Sequence, residues 1–293
     1  MRVGNLAGRL VVIHGEPGHE TALDVEGASA GRFGPDPQAV YDDWPQFAAW
    51  ASAVTTTGGV PVDLATLGPP APVPRQVLAI GLNYREHAAE SGYDVPGAEP
   101  PVFTKFVSCI TGPYGDIGLP ADGQTDWEVE LVAVIGRDAK QVSAEDALSY
   151  VAGFCIGQDI SERRLQMAAT PPQFSLGKSL PGFGPIGPWL VTPDELPDPG
   201  DLELTCAING NQMQSGRTSQ MIFSVPVLIA KLSQSVRLLP GDVIFTGTPP
   251  GVGLGRTPPV WLTDGDVLES RIEGIGSMRH RFVSLAAAAE LTS

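Results

Sequence analysis

The chain has 293 residues, 18 Lys and Arg residues against 33 Asp and Glu residues, and a formal net charge of −15. This length allows a large hydrophobic core in one large or two smaller domains, and the 42% of apolar residues excludes a disordered chain. The acidic charge excludes proteins that use a basic surface to bind nucleic acid or anionic membranes, and it favours binding of cations such as divalent metals.

The three cysteines, Cys109, Cys155 and Cys206, are too far apart for a zinc site, and their odd number argues against a disulfide framework. Their apolar neighbours predict buried thiols in a reducing compartment. The first residues carry no apolar run with a cleavage site, and no stretch of 18 apolar residues occurs. We therefore expect a soluble cytoplasmic protein.

The first 74 residues differ in pattern from the rest of the chain. A strand is predicted at Leu10–Ile13, and a short helix at Trp44–Ala53 with Phe47 and Trp50 on its apolar face. The sequence GPPAPVP at 68–74 predicts a stiff, extended linker. We therefore expect a small N-terminal domain at residues 1–74 and a second domain at residues 75–293.

The second part alternates short predicted strands with turns. Asn209-Gly210 is the strongest hairpin signal in the chain. Many short strands with few helices predict a mainly β fold of the α+β class. The predicted strands are Val77–Gly81, Trp127–Ile135, Val151–Ile156, Leu202–Ile208, Asn211–Gln214, Asp242–Thr246, Asp266–Ile272 and Gly276–Phe282, and the predicted helices are Tyr84–Ser91, Ser143–Val151 and Phe223–Leu232.

Glu128 and Glu130 are the first candidates for chemistry. They are two residues apart on an apolar strand, so both side chains point to one face, about 6–7 Å apart. Two buried carboxylates repel each other unless a cation lies between them, and a hard cation such as Mg²⁺, Mn²⁺ or Ca²⁺ suits oxygen ligands. Asp159, at the end of another apolar run, is a plausible third ligand. The alternatives are a solvated strand face for the glutamates and a helix cap for Asp159.

His87 and Glu90 form a candidate acid/base pair. They are three residues apart in a helix that begins directly after an apolar strand. A carboxylate at this distance raises the basicity of the imidazole and fixes its tautomer. The alternative is an ordinary surface pair.

Three further motifs bear on the chemistry. Lys178 lies in Gly-Lys-Ser, but Pro172 breaks the spacing of a phosphate-binding loop, so the lysine is a candidate partner for the carboxylates or an anionic substrate. The turn at 246–253, TGTPPGVG, offers backbone N–H groups and a hydroxyl to an oxygen-rich ligand. The GASAG sequence around Ser29 lacks the strand and helix of a serine hydrolase, which argues against a nucleophilic serine.

Taken together, these segments resemble the fumarylacetoacetate hydrolase family, from about Val77 to Phe282. The resemblance lies in the order of the motifs rather than in any one of them. They are GLNYREHAAE at 81–90, DWEVE at 126–130, QDIS at 158–161 with Arg163 and Gln166, GKS at 177–179, GPIGPW at 184–189, and PGDVI at 240–244 running into GTP at 247–249.

The resemblance implies a mixed β-sheet roll with a small N-terminal α+β domain, usually as a homodimer. It implies Mg²⁺ or Mn²⁺ held by Glu128, Glu130 and Asp159, and a His87–Glu90 dyad that activates water. The remaining roles are catalysis or metal-site contact for Lys178, and substrate binding for Tyr84, Lys105, Arg163, Gln166 and Thr248. Gln158, Arg164 and the segment 167–174 depart from the common family pattern, and these departures concern the substrate rather than the metal.

The reaction expected from these residues is metal-dependent hydrolysis of a C–C bond in a 2,4-dioxo acid. His87 would deprotonate a water, and the metal with Lys178 would stabilise the departing enolate. Oxaloacetate decarboxylation and hydroxydienedioate isomerisation or tautomerisation on the same scaffold are the alternatives. A non-catalytic metabolite-binding module is a further alternative, against which the dyad argues.

Overall fold

The computed structural model describes residues 1–54 and 58–285. Short strands dominate the described chain, which confirms the mainly β prediction. The strands are β1 (Arg2–Leu6), β2 (Arg9–His14), β3 (Thr21–Asp24), β4 (Val60–Pro61), β5 (Leu67–Gly68), β6 (Val77–Ile80), β7 (Val102–Thr104), β8 (Ile110–Thr111), β9 (Tyr114–Leu119), β10 (Thr125–Asp126), β11 (Val129–Ile135), β12 (Val151–Gln158), β13 (Ser161–Glu162), β14 (Gly184–Val191), β15 (Glu203–Ile208), β16 (Asn211–Arg217), β17 (Val243–Phe245), β18 (Val267–Ile272) and β19 (Gly276–Ser284).

The helices are short and few. The helix predicted at Trp44–Ala53 has those bounds in the structure, and the helix at 225–235 carries Pro226 in its first turn, where the missing N–H costs nothing. The α-helices are α1 (Val25–Ala28), α2 (Trp44–Ala53), α3 (Arg85–Glu90), α4 (Arg163–Gln166), α5 (Phe174–Gly177) and α6 (Val225–Ser235).

The helix predicted at Ser143–Val151 is wrong. Only a 3₁₀ turn forms, at Ala147–Tyr150, and β12 begins at Val151. Ser143 and Asp146 hydrogen-bond each other, Ser143 Oγ lying 2.8 Å from Asp146 Oδ2, and the Asp146 N–H donates to the same hydroxyl. The capping residues therefore close a local turn instead of starting a longer helix.

The strands of the described residues form two large sheets and one two-stranded sheet. The large mixed sheet runs in the order β4-β3-β2-β1-β14-β12-β11-β17-β6-β7, with β5 beside β1 and β8 beside β14. The second sheet runs β16-β15-β18-β19-β9, and β10 pairs with β13. The hairpin across Asn209-Gly210 forms as predicted, joining β15 and β16. This is the mixed-sheet α+β architecture expected from the sequence.

Strand β11 lies at the centre of the large sheet and is buried on both faces. Leu131 and Ala133 pack into one hydrophobic cluster, whereas Val132 and Val134 pack into another on the opposite face. Burial on both faces explains why the sequence of β11 is an apolar run. The polar residues at the start of β11 lie at the edge of both hydrophobic clusters. All three cysteines are buried and free, as predicted.

The N-terminal strands continue the large sheet, because β1 pairs antiparallel with β14 through Arg2–Val191 and Val3–Leu190. The division into domains at residue 74 stays a prediction. In the described part of the chain, none of the helices has the length and apolar character needed to cross a membrane.

Candidate active site

Glu128, Glu130 and Asp159 meet where two antiparallel strands share an end. β11 begins at Val129 and β12 ends at Gln158, and these two residues are paired. Glu128 therefore lies just before β11, and Glu130 is the second residue of that strand. Asp159 lies just after β12. The Asp159 N–H donates to the Glu128 carbonyl at 2.9 Å, which fixes the two chain segments together. Each carboxylate offers an oxygen within 4.8 Å of the others, and all three are buried.

Two of these carboxylates are paired with buried cations. Lys178 Nζ donates to Glu128 Oε2 and to Asp159 Oδ2, both at 2.7 Å. Lys105 Nζ donates to Asp159 Oδ1 at 2.6 Å, and Arg163 Nη2 donates to Glu128 Oε1 at 2.6 Å. Glu128 and Asp159 are therefore neither a solvated strand face nor a helix cap; α4 is capped instead by Glu162.

Glu130 is different, because in the described structure its carboxylate has no cationic partner and accepts only the Gly247 N–H, at 2.7 Å. Burial, together with the negative charges of Asp159 and Glu128, raises the pKa of Glu130 well above its usual value. Burial opposes ionisation of Glu128 as well, but Lys178 and a neighbouring guanidinium hold the pKa of Glu128 at about 2.

A hard divalent cation fits this donor set. The three ligand atoms are carboxylate oxygens, which Mg²⁺ and Mn²⁺ prefer, and three protein ligands leave positions for water or substrate. A cation beside Glu130 would also compensate the buried charge that the lysines leave unpaired.

His87 and Glu90 form a buried dyad on α3. His87 Nδ1 lies 2.9 Å from Glu90 Oε1, and the His87 side chain is 7% exposed, which excludes an ordinary surface pair. Glu90 is itself held by the Gly251 N–H, at 2.9 and 3.0 Å from its two oxygens, and by the Val252 N–H at 3.4 Å. Because a carboxylate only accepts, we assign the shared hydrogen to Nδ1. The His87 Nε2 lone pair then remains free to act as a base.

The loop at 246–254, which follows β17, connects the dyad to the carboxylates. Gly251 adopts φ +107°, and a Cβ there would lie 2.2 Å from the Met213 carbonyl oxygen, so only glycine fits. The donors of this loop and their acceptors are Gly247 N–H to Glu130 (2.7 Å), Thr248 Oγ1 to the Val129 carbonyl (2.8 Å), Gly251 N–H to Glu90 (2.9 Å) and Leu254 N–H to Asp126 (2.8 Å).

A cleft opens over this arrangement, with an empty volume of about 440 Å³ including the part open to solvent. Its lining combines polar and apolar side chains. The polar lining residues are His87, Ser91, Glu128, Arg163, Gln166, Lys178 and Thr248, and the larger apolar ones are Leu82, Tyr93, Phe103, Met167, Phe174 and Leu254.

Two predicted substrate contacts lie outside the lining of this cleft. Lys105 is fully buried behind Asp159, and its ammonium also donates to the carbonyls of Lys178 and Phe183. Tyr84 is buried, its hydroxyl has no hydrogen-bond partner within the described residues, and burial followed by the charge of Glu130 raises its pKa. Substrate contact by either residue stays a prediction.

The other predicted residues come together. Arg163, Gln166, Lys178 and Thr248 line the cleft with His87 and Glu128. Ser29 does not join them: its hydroxyl is engaged with the backbone of its own turn, accepting the Phe33 N–H at 3.0 Å.

Sequence reasoning missed Asp126 as part of this network. Asp126 is fully buried and accepts from Arg163 Nε at 2.7 Å and Nη2 at 3.1 Å. Burial raises the pKa of Asp126 above its usual value, although Arg163 opposes this effect. The available signal was its position two residues before Glu128, since alternate residues of an extended segment share a face.

Residues 76–283 match the family described as fumarylacetoacetate (FAA) hydrolase C-terminal. The chain belongs to the fumarylacetoacetate hydrolase family. The match covers the dyad, the carboxylates and the loop that follows β17, so the resemblance drawn from the motifs is confirmed.

Among relatives in this family, the mitochondrial oxaloacetate tautomerases FAHD2A of Bos taurus and Homo sapiens are each 47% identical over 211 residues. These residues are 72% of this chain and 67% of each relative. A putative HpcE protein from Mycobacterium smegmatis has a crystal structure with a TM-score of 0.92 at 53% identity, covering 97% of this chain and 100% of that one.

A maleylpyruvate hydrolase from Sphingobium sp. SYK-6, in complex with manganese(II) and pyruvate, is more distant. Its TM-score is 0.78 at 28% identity, covering 97% of this chain and 99% of that one. The tautomerases and the maleylpyruvate hydrolase are enzymes of the fumarylacetoacetate hydrolase family, and this chain is an enzyme of the same family.

Proposed function

We propose that this protein is a divalent-metal-dependent enzyme that interconverts the keto and enol forms of a 2-oxo acid such as oxaloacetate. The observation that carries the proposal is the His87–Glu90 dyad, 2.9 Å between Nδ1 and Oε1, in the same cleft as Glu128 and Lys178. The 47% identity with oxaloacetate tautomerases supports this reaction over the others known from the named relatives.

The number of proton-transfer groups favours tautomerisation. Of the described residues that line the cleft, His87 alone offers a basic nitrogen that is not committed to a carboxylate. Lys178 is held by two carboxylates and Arg163 by Asp126 and Glu128, so neither is free to exchange a proton. A tautomerase needs one group that takes a proton from carbon and returns it to oxygen, whereas hydrolysis also needs a positioned water and a proton for the leaving group.

His87 Nε2 would remove a proton from C3 of the bound keto acid, and the electron pair of that C–H bond would move to the C2 oxygen. The same proton then passes from the imidazolium to this oxygen, giving the enol with no net change in oxidation state. Glu90 stabilises the imidazolium and keeps the ring oriented through its own bonds to the loop at 246–254.

Glu128, Glu130 and Asp159 would hold Mg²⁺ or Mn²⁺, which would supply positive charge to the carbonyl oxygen as negative charge develops there. Lys178 donates to Glu128 and Asp159 and holds both carboxylates in place, and Thr248 fixes the start of the loop by donating to the Val129 carbonyl. Arg163 and Gln166 would bind the substrate carboxylate.

The test uses purified protein stripped with EDTA and reloaded with Mg²⁺ or Mn²⁺. Decay of the ultraviolet absorbance of enol-oxaloacetate measures tautomerisation, and pyruvate formation measured in parallel detects decarboxylation. We expect metal-dependent decay that His87→Asn abolishes and that His19→Asn, a change at an exposed histidine, leaves intact. Decay at the uncatalysed rate in the metal-loaded wild type would refute the proposal.

Hydrolysis of a C–C bond in a 2,4-dioxo acid, the reaction expected from the sequence, is the second candidate. The 28% identity with a maleylpyruvate hydrolase, over 97% of this chain, favours it. Loss of the diketone absorbance of acetylpyruvate with release of pyruvate, dependent on His87, would support hydrolysis. The homodimer and the cytoplasmic location stay predictions from the sequence.

A further inference from the structure

The guanidinium of Arg163 is held on three sides by buried groups. Its Nε and Nη2 donate to the two oxygens of Asp126, Nη2 also donates to Glu128 at 2.6 Å, and Nη1 donates to Gln166 Oε1 at 2.8 Å. A planar guanidinium has five N–H groups, so the two-point contact with Asp126 fixes the plane of all of them. One Nη1–H then has no acceptor among the described residues.

The orientation of the Gln166 amide follows from this contact. Because Arg163 donates to Gln166 Oε1, the oxygen faces the guanidinium and the amide NH₂ is turned the other way. Gln166 is 4% exposed and lines the cleft, as does Arg163. Because both side chains line the cleft, the remaining Nη1–H and the amide N–H are two donors available to a substrate carboxylate.

Asp126 makes a third contact, which reaches the other half of the site. Its Oδ2 accepts the Leu254 N–H at 2.8 Å, at the end of the loop whose Gly251 N–H holds Glu90. One fully buried carboxylate thus fixes both the donors of the cleft and the end of the loop that supports the dyad, although Asp126 itself does not line the cleft.

We propose that Asp126 is a positioning residue that makes the enzyme selective for an acid over the corresponding neutral ester, by fixing Arg163 and, through it, the Gln166 amide. The part of the inference that concerns the reaction rests on the proposed function. The part that concerns binding of a carboxylate rests on the geometry alone. Without the negative charge of Asp126, the guanidinium is free to turn toward Glu128, and the amide of Gln166 loses the contact that orients it.

The test is Asp126→Asn, which keeps the shape and removes the charge. The kcat/KM for enol-oxaloacetate is compared with that for its 1-methyl ester, and we expect the ratio of acid to ester to fall about tenfold, mainly through KM for the acid. Binding of oxalate to the Mn²⁺-loaded protein, measured by calorimetry, is expected to weaken about tenfold, whereas the Kd for Mn²⁺ itself changes less than about threefold.

Asp242→Asn is the matched control. Asp242 is also fully buried, and it accepts the N–H groups of Gln76 and Leu239 at 2.9 and 2.7 Å, but it lies at the end of β17 remote from the cleft. We expect this change to lower the melting temperature and to leave the acid-to-ester ratio unchanged.

An equal loss for acid and ester in Asp126→Asn, with unchanged oxalate binding, would overturn the inference. If Asp126→Asn does not fold, Arg163→Lys decides: it keeps the charge but cannot bridge Asp126 and Gln166, so retained selectivity would refute the positioning role. Oxalate binding separates this result from failure of the proposed reaction, because it needs no turnover.

Discussion

Replacing Glu90 with glutamine tests how far the basicity of His87 depends on the negative charge beside its ring. In the Oε1 position the glutamine oxygen can still accept the N–H groups of Gly251 and Val252, and only the second contact of Gly251, to Oε2, is lost to the amide NH₂. What is lost is the charge-assisted bond to the imidazolium, which is roughly 1–2 kcal/mol stronger than a neutral one. We therefore expect kcat for enol-oxaloacetate to fall about 5- to 30-fold at saturating Mn²⁺.

The control is Glu86→Gln, one turn earlier on the same helix, where the side chain is exposed. It makes the same chemical change without touching the imidazole, and we expect wild-type kcat. His87→Asn removes the base and should lower kcat by about 100- to 10,000-fold. Adding Glu90→Gln to His87→Asn should cost nothing more, because the carboxylate acts only through the ring. Wild-type kcat in Glu90→Gln, or independent losses in the double variant, would refute this reasoning.

Three other predictions concern stability and metal binding. His280 is buried, its Nδ1 has no partner in the described structure, and burial lowers its pKa to about 4, so the unfolded chain takes up a proton that the folded one refuses. Stability is therefore lost as pH falls from 6.5 toward 4, by about 2–3 kcal/mol at pH 4.5. His280→Gln should remove this part of the difference between urea titrations at pH 7.5 and 4.5, and an unchanged difference would contradict the assignment. Glu130→Gln should stabilise the metal-free protein by about 1–3 kcal/mol, because it removes a buried carboxyl group whose ionisation no cation compensates. It should also abolish the rise in melting temperature caused by Mn²⁺, and a retained rise would exclude Glu130 as a ligand. Gly157→Ala should lower the unfolding free energy by about 1–3 kcal/mol in chemical denaturation, since its Cβ would lie 2.4 Å from Val132 Cγ2. Wild-type stability would mean that β11 and β17 can move apart to accept the methyl group without loss of stability.

Local patterns predicted the elements that the structure builds from local interactions. The apolar run at 129–135 forms the central strand, Asn209-Gly210 forms its hairpin, and the amphipathic stretch Trp44–Ala53 forms a helix with those bounds. Strand β14 was missed, because GPIGPWLV carries two prolines and two glycines that argue against a strand. It exists because β12 and β1 pair with it from either side, and pairing between distant segments leaves no local signature.

Prediction of the site from local sequence patterns was limited in the same way. The spacing of Glu128 with Glu130, and of His87 with Glu90, was readable because each pair lies within one element. That Lys105 lies behind Asp159 rather than in the cleft depends on contacts with Lys178 and Phe183, more than 70 residues away. No pattern within one segment contains that information.

The loop at 246–254 has a consequence for how this protein tolerates change. The loop holds three carboxylates from separate parts of the chain, mainly by donating the backbone N–H groups of Gly247, Gly251 and Leu254 to them. Side chains contribute little to these three contacts, so a substitution at Leu254, which is only partly buried, should leave them in place. A single inserted or deleted residue would instead move every donor out of register with its acceptor. A library that varies the length of this loop should thus be far more damaging than one that varies only the residue at Leu254.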